Sequence, residues 1–256
     1  MGVPCGNGLE TPAAHTLRSA RLRRAACVAP TPPVRDSPLR RMSKLGDCLA
    51  SSLGKKAVMA VTGLLLVGFL IAHLAGNLTL YADAEGRAFD AYCAQLKSFG
   101  PLLYVAEVLL ALLFLVHIYL GVRLTLENRD ARRSGYGIRN TRGRQTLGSA
   151  TMFVTGTLVL GFLIKHLLDY RLNSAFDAGP AAAVRASFRQ PLGVAIYVIG
   201  MAALGLHLSH AFRSAFQSLG LSHPRLVPLL ERTGLALAIA LPLGFASIPL
   251  YLHFAS

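Results

Sequence analysis

Charged residues are scarce in this sequence of 256 residues: only 15% are charged, whereas 53% are hydrophobic and the mean hydropathy is +0.49. Soluble domains carry about 25% charged residues, so this composition excludes an ordinary soluble domain and indicates an integral membrane protein. Five apolar segments are long enough to cross ~30 Å of hydrocarbon, which takes about 20 helical residues. They lie at roughly 57–80, 102–126, 146–168, 192–216 and 234–254. The sequence therefore predicts an all-α integral membrane protein with five transmembrane helices.

Cysteines at metal-binding spacing are also missing. The four cysteines form no CxxC motif; they are Cys5, Cys27, Cys48 and Cys93. Iron–sulfur clusters and zinc ribbons use closely spaced cysteine pairs, so this spacing excludes both kinds of site in this chain.

Acidic residues are few, 12 against 26 Lys and Arg, which gives a formal charge of +14. The distribution of the basic residues argues against a nucleic-acid partner. Ten lie in residues 1–56, seven in 123–144 and three at Arg213, Arg225 and Arg232. Alternating helices place these three regions on one side of the membrane. Because basic residues accumulate on the cytoplasmic side, we expect a multi-pass protein of the inner (cytoplasmic) membrane with a cytoplasmic N-terminus.

The first 41 residues contain seven Arg and six Pro, and no apolar stretch follows the basic residues as it does in a secretory signal. We predict a basic, disordered extension over residues 1–42 and a membrane domain over 43–256. An organellar transit peptide is an alternative for the extension. We favour a third interpretation, in which translation begins at Met42.

The membrane domain contains an internal repeat. Residues 59–74 (MAVTGLLLVGFLIAHL) recur at 152–167 (MFVTGTLVLGFLIKHL) with 11 identities in 16 positions. A second pair follows, HIYLGVR at 117–123 and HLSHAFR at 207–213. The pattern indicates a duplicated two-helix unit with one histidine in each of four helices. The fifth apolar segment has no such histidine, and we expect it to be an addition to a four-helix core.

The depths of the four repeated histidines predict two pairs. His73 lies about 25 Å beyond Lys56 along an outward helix, and His166 lies near the outer end of the third segment. The second and fourth segments run inward, which carries His117 and His207 into the inner half. We therefore expect His73 and His166 to share the outer half and the other two to share the inner half. An intramembrane His is costly unless it is paired, so a functional role is expected.

Two stacked histidine pairs inside a helical bundle are what two bis-imidazole haems require. Gly76, Gly121 and Ala211 lie one turn from these histidines and would admit a porphyrin edge, although close helix packing explains them equally well. The chain has no CxxCH motif, so such haems would be held without thioether links. His210 competes with His207 as a ligand. We expect no ligand role for the remaining histidines, His15, His223 and His253.

Three stretches together resemble a known family: SSLGKKAVMAVTG leading to HLAGN, HIYLGVR, and GLHLSHAFRSAFQSLG. They are similar to the cytochrome b membrane anchor of succinate dehydrogenase and fumarate reductase, of the single-anchor, five-helix, di-haem type. The likeness covers about residues 43–254. It implies that His73 and His166 ligate the iron of an outer haem b, and that His117 and His207 ligate the iron of an inner haem b.

The resemblance also implies partners. An FAD flavoprotein and an iron–sulfur subunit would dock on the cytoplasmic face, and a quinone, usually menaquinone, would exchange electrons with the outer haem. This chain would then be the quinone-reactive subunit of an oxidoreductase in the tricarboxylic acid cycle or in fumarate respiration, without dicarboxylate chemistry of its own. Asp90, Glu107 and Asp169 are the candidates for a quinone-site acid.

We expect a short outer helix within 82–100 and a second outer loop at 173–191.

Two other functions fit parts of the pattern. One is a di-haem b anchor that serves a hydrogenase or a formate dehydrogenase. The other is a haem-free anchor or transporter in which the stacked histidines relay protons.

Overall fold

The computed structural model describes residues 51–133, 147–221 and 223–255, and within these ranges the chain is helical, without a strand. The predicted extension over 1–42, with Met42, lies outside the described residues. The α-helices are α1 (Ser52–Asn77), α2 (Arg87–Ser98), α3 (Pro101–Arg133), α4 (Leu147–His166), α5 (Ser174–Ala178), α6 (Pro180–Arg189), α7 (Pro191–Ser218) and α8 (Val227–Phe254). A 3₁₀ turn (Leu78–Tyr81) follows α1, and a π-helical turn (Leu167–Arg171) follows α4.

Five helices are long and apolar enough to cross a membrane, which confirms the predicted all-α membrane fold. The spans are Ser52–Tyr81, Pro101–Asn128, Thr151–Arg171, Pro191–Ser218 and Val227–Phe254. The predicted and observed spans differ mainly in where each helix begins and ends. The second predicted segment ends at 126, but α3 continues to Arg133, and Glu127 pairs with Arg123 one turn earlier at 2.9 Å.

The helix starts follow from local chemistry. Ser51 caps α1 by accepting a hydrogen bond from the Gly54 N–H at 3.0 Å. Proline opens the membrane helices α3 and α7 at Pro101 and Pro191. The first N–H groups of a helix have no partner within the helix, so a residue without an N–H costs nothing there.

Helix α7 is the centre of the bundle and packs against α1, α4 and α8. Buried residues make up 39% of an 18-residue apolar stretch of α7 and 33% of the corresponding stretch of α8, against 6% in α3 and α4. Close approach is possible at Gly205, where a Cβ would lie 3.0 Å from the Ala238 carbonyl oxygen of α8. The fifth membrane helix lacks a repeated histidine, yet it is more deeply buried than α1, α3 or α4. The open apolar faces of α3 and α4 suit contact with lipid.

Ion pairs identify the two ends of the bundle. At one end, Glu127 of α3 bonds Lys55 of α1 at 2.7 Å, and Arg213 of α7 pairs with Glu231 of α8 at 2.7 Å. We call this the Lys55 end; α1 and α8 begin here, and α3 and α7 end here. At the opposite end, which we call the Asp169 end, Arg171 forms a bidentate pair with Glu107 near the start of α3. The membrane helices therefore alternate in direction as predicted.

Two short helices cover the Asp169 end. The predicted outer helix is α2, and it packs against α6 through Phe89, Cys93, Ala181, Val184 and Phe188. This finding corrects the prediction of a plain loop at 173–191, which instead forms α5 and α6. The apolar residues of α6 recur with helical spacing and face the core.

Local contacts explain three side chains in and just before α2. The Asp83 carboxylate accepts hydrogen bonds from the N–H groups of Ala88 and Arg87, both at 2.8 Å, and these bonds hold its pKa below the ordinary value. Burial raises the pKa of the Cys93 thiol to about 11, so the thiol stays protonated and unreactive at neutral pH. Tyr92 occupies the space beside Gly76 of α1, where a Cβ would overlap its ring.

Asp90 joins the two covering helices, because its carboxylate accepts a hydrogen bond from the Ala181 N–H in the first turn of α6 at 2.8 Å. Replacing Asp90 by Ala should lower the free energy of unfolding by about 1–2 kcal/mol, the usual cost of losing a helix cap. Thermal unfolding in detergent measures this loss, and hydrogen exchange should locate it in α6. Asp177→Ala is the control, since Asp177 forms an exposed pair with Lys97 and such pairs contribute about 0–1 kcal/mol. Equal losses in the two variants would contradict the capping role.

Candidate functional site

The structure brings His73 of α1 and His166 of α4 together. Their ring centres lie 5.8 Å apart and their planes are nearly perpendicular, at 87°. Metal–imidazole bonds of about 2 Å on either side of one ion would set two ring centres roughly 6 Å apart. The separation therefore suits two axial ligands of one iron.

Each ring of this pair stacks on a phenylalanine one turn earlier in its own helix. Phe69 stacks on His73 with centres 5.2 Å apart, and Phe162 lies 5.9 Å from His166. The two phenylalanines occupy the same position of the repeated GFLI sequence. Phe245 of α8 lies 5.7 Å from His73 and closes the site from the fifth helix. Both imidazoles thus pack against apolar side chains, and these contacts leave the ring nitrogens accessible to a ligand.

The Nδ1 atom of His166 is buried and has no hydrogen-bond partner within the part of the chain that the structure describes. Leaving a buried polar atom unpaired costs about 1–3 kcal/mol, so such atoms call for an explanation. On His73, the Asn77 amide lies 3.5 Å from both ring nitrogens and donates to the His73 carbonyl at 2.7 Å instead. Neither ring is committed to a strong protein hydrogen bond, and this fits a pair that serves an added ligand.

His117 of α3 and His207 of α7 are the second predicted pair. Each is bonded by a threonine of the preceding membrane helix. The Thr62 hydroxyl lies 3.1 Å from His117 Nδ1, and the Thr155 hydroxyl lies 3.4 Å from His207 Nδ1. Along α1, Thr62 precedes His73 by about 16 Å. The two histidine pairs therefore lie at different depths of the bundle.

A glycine follows each of these threonines and touches the same ring. A Cβ at Gly63 would lie 3.2 Å from His117 Cε1, and one at Gly156 would lie 3.3 Å from His207 Cε1. Sequence reasoning recognised the repeat but missed this contact. The available signal was the Val-Thr-Gly tripeptide, which is identical in both copies.

The other histidines have different surroundings. His253 Nδ1 lies 2.9 Å from the Phe188 carbonyl oxygen, and His223 Nδ1 accepts from the Arg225 N–H at 3.3 Å. His210 lies one turn beyond His207, and it is His207 that meets the Thr-Gly pair of α4. His15 is outside the described residues.

Across the described ranges, no three side chains of His, Cys, Asp or Glu converge on a point that would hold a bare metal ion. A bis-imidazole haem needs only two protein ligands, because the porphyrin supplies the other four. The donor set of two facing imidazoles therefore fits haem iron better than it fits a zinc site, which takes three or four protein ligands.

The three candidate acids have different partners. Asp90 caps α6, and Glu107 is paired with Arg171. Asp169 pairs with Lys165 and accepts a hydrogen bond from the Tyr197 hydroxyl at 2.9 Å. Of the three, only Asp169 is joined to the surroundings of the histidine pair.

Tyr197 links Asp169 to that pair, since its ring centre lies 6.1 Å from the ring of His166. Asp169 belongs to the π-helical turn that follows His166 directly, where the Leu172 N–H reaches back to the Leu167 carbonyl at 2.9 Å. Single π-helical turns inside helices are frequent at functional sites.

Three comparisons with known proteins complete the description of the site. A family model described as the succinate dehydrogenase/fumarate reductase transmembrane subunit matches residues 56–142. Neither the search of curated proteins nor the search of solved structures found a match. The matched stretch begins in α1, extends beyond α3 and contains one histidine of each pair, His73 and His117. Over residues 56–142, this chain thus matches the family of succinate dehydrogenase/fumarate reductase transmembrane subunits.

Proposed function

We propose that this chain is the membrane-anchor subunit of a succinate dehydrogenase or fumarate reductase, with two b haems that connect an iron–sulfur subunit to a membrane quinone. The observation that carries the proposal is the approach of His73 and His166, two repeat-related histidines from different helices, to 5.8 Å. The family match to residues 56–142 supports the same assignment. Bound haem would supply reversible one-electron transfer.

The ligands follow from the two pairs. His73 and His166 hold one iron, and His117 and His207 hold the other. Phe69 and the equivalent Phe162 stack on the rings of His73 and His166. The hydroxyls of Thr62 and Thr155 bond the rings of His117 and His207. The chain thereby sets two redox centres at two depths of one bundle.

The Lys55 end is proposed to face the cytoplasm and the partner subunits. Its basic residues, among them Arg123 and Arg213, accord with the excess of positive charge found on cytoplasmic faces. Complementary charge steers association and fixes the docking register. An iron–sulfur subunit that carries the FAD flavoprotein would bind here, next to the His117/His207 pair.

Quinone chemistry is proposed at the Asp169 end. Reduction of a quinone consumes two electrons and two protons, so its site needs a proton donor beside the redox centre. The Asp169 carboxylate is bonded to Tyr197 and Lys165 and lies one turn beyond His166. By the resemblance of the sequence the quinone is menaquinone. Helices α2 and α6 cover this end and would shield the site from water.

The alternative functions gain less support. A hydrogenase or formate dehydrogenase anchor would also use paired histidines, but the family model that matches belongs to the succinate dehydrogenases. A proton relay requires hydrogen-bonded groups from one depth to the next. The bonds described for His117 and His207 end on threonines whose own hydroxyls bond to carbonyls of the same helix.

Haem content tests the proposal directly. A pyridine haemochrome assay on the purified protein should give two b haems per chain, because two histidine pairs are present. A chain that assembles with its partners but carries no haem would refute the di-haem function and favour the proton relay. The subunits that co-purify distinguish a succinate dehydrogenase from a hydrogenase or formate dehydrogenase.

The pairing of ligands is testable by single substitutions. His73→Ala and His166→Ala should remove the same low-spin spectral component and about half of the haem, because each leaves one iron with a single protein ligand. His117→Ala and His207→Ala should remove the other component. His210→Ala is the control and should keep both signals. Loss of one common component in His73→Ala and His117→Ala would show that the pairs are wrong.

The role of Asp169 predicts a separation of haem content from quinone turnover. Asp169→Asn should retain both haems but reduce quinone-linked activity by about 100-fold or more, the typical contribution of a positioned acid or base. Glu107→Gln is the matched control, because Glu107 lies at the same end in a partly exposed pair with Arg171, and it should change the rate little. Electron transfer from succinate to an artificial acceptor should be unaffected in both. If Glu107→Gln has the larger effect on quinone turnover, Asp169 is not the proton donor.

A further inference from the structure

Two threonines stand out because of where they are buried. In the part of the chain that the structure describes, Thr62 and Thr155 are the buried polar residues, with 6% and 3% of their surface exposed. They occupy the same position of the internal repeat, and each bonds the histidine of the following membrane helix, His117 and His207 respectively. A buried hydroxyl that recurs in both copies with the same kind of partner indicates a shared role.

The direction of these hydrogen bonds follows from counting protons. A threonine hydroxyl has one proton to donate and two lone pairs that accept. The Thr62 hydroxyl donates to the Met59 carbonyl at 3.0 Å, and the Thr155 hydroxyl donates to the carbonyls of Thr151 and Met152 at 3.1 and 3.2 Å. With that proton committed, the hydroxyl can only accept from the ring. The histidine therefore donates from Nδ1–H, which leaves the lone pair on Nε2.

The glycine that follows each threonine also restricts the position of the imidazole ring. Gly63 and Gly156 let each imidazole lie against the helix backbone, at a distance where a methyl group would already be in tight contact with Cε1. The ring is thus held by a hydrogen bond at Nδ1 and by backbone contact beside it. One tautomer and one orientation are selected together.

We propose that Thr62 and Thr155 are positioning residues for the His117/His207 haem ligands: they hold both imidazoles in the Nδ1–H form and aim Nε2 at the iron. This inference rests on the proposed di-haem function. A hydrogen bond accepted from the far nitrogen of a ligating histidine raises the basicity of the ligand and is a common support of metal sites. The His73/His166 pair is held differently, since its described contacts are mainly aromatic stacking. The two haems should therefore respond differently to the loss of a threonine hydroxyl.

The test uses isosteric substitutions in the full complex. Thr62→Val and Thr155→Val remove only the hydroxyl and keep the shape of the side chain. A less basic ligand stabilises ferric iron less, so the midpoint potential of the His117/His207 haem should shift to a more positive value. The haem in question is the component that His117→Ala removes. Redox titration and the low-spin electron paramagnetic resonance signal of each haem are the readouts, and the other haem should keep its wild-type values.

Two controls separate positioning from general damage. Thr157→Val lies on the same helix as Thr155 and also loses a bond to its own backbone, at 2.8 Å to the Phe153 carbonyl, so both potentials should stay at wild type. Thr62→Ser and Thr155→Ser keep the hydroxyl and should behave like wild type. If the valine variants lose the His117/His207 haem while the serine variants retain it, the hydroxyl requirement is supported as well.

Three outcomes would overturn the inference. They are valine variants with an unchanged potential, equal shifts in both haems, and serine variants as defective as the valine ones. A wild-type protein without haem would instead refute the proposed function itself. The haemochrome assay on the wild type therefore distinguishes the two failures before any variant is compared.

Discussion

The cost of placing an imidazole in an apolar helical bundle governs much of this structure. Such a ring carries two nitrogens that need partners, and lipid supplies none. The chain places four of these rings in the bundle, each on a different helix. Two of them, His73 and His166, meet edge to face, and the other two bond the threonines of neighbouring helices. The helices cannot slide along one another without breaking these contacts, so the histidines also fix the register of the bundle.

The sequence was informative about the fold because membrane helices obey simple rules. Length and hydropathy identified all five spans, and successive membrane helices were expected to alternate in direction. The prediction was weaker where the chain is polar. Helices α5 and α6 were taken for a loop, since their few apolar residues face one side and raise the hydropathy little. Helix α3 extends past the predicted end at 126, because the pairs of Glu127 with Arg123 and Lys55 stabilise the helix beyond its apolar stretch.

The internal repeat was enough to predict the four histidines of the candidate site, but not their surroundings. Duplication singled out His73, His117, His166 and His207, and depth along the helices suggested how they pair. What escaped prediction depends on contacts between helices. The bond from Asp169 to Tyr197 joins residues from two helices, and the role of Thr62 requires knowing that α3 lies against α1 at that height. No spacing along one chain reveals which faces of two helices meet.

The two copies of the repeat differ at one position that matters for their chemistry. Three residues after the histidine, the second copy has Asp169 in a π-helical turn, whereas the first has Gly76, whose open side is filled by the Tyr92 ring. A duplicated helix pair would by itself build a protein with two equivalent halves. At this position the second copy carries an ionisable side chain, whereas in the first copy an aromatic ring fills the space. On the proposed function, the bundle thus keeps its symmetry for carrying electrons but has lost it for protons, which can enter or leave through the second copy alone.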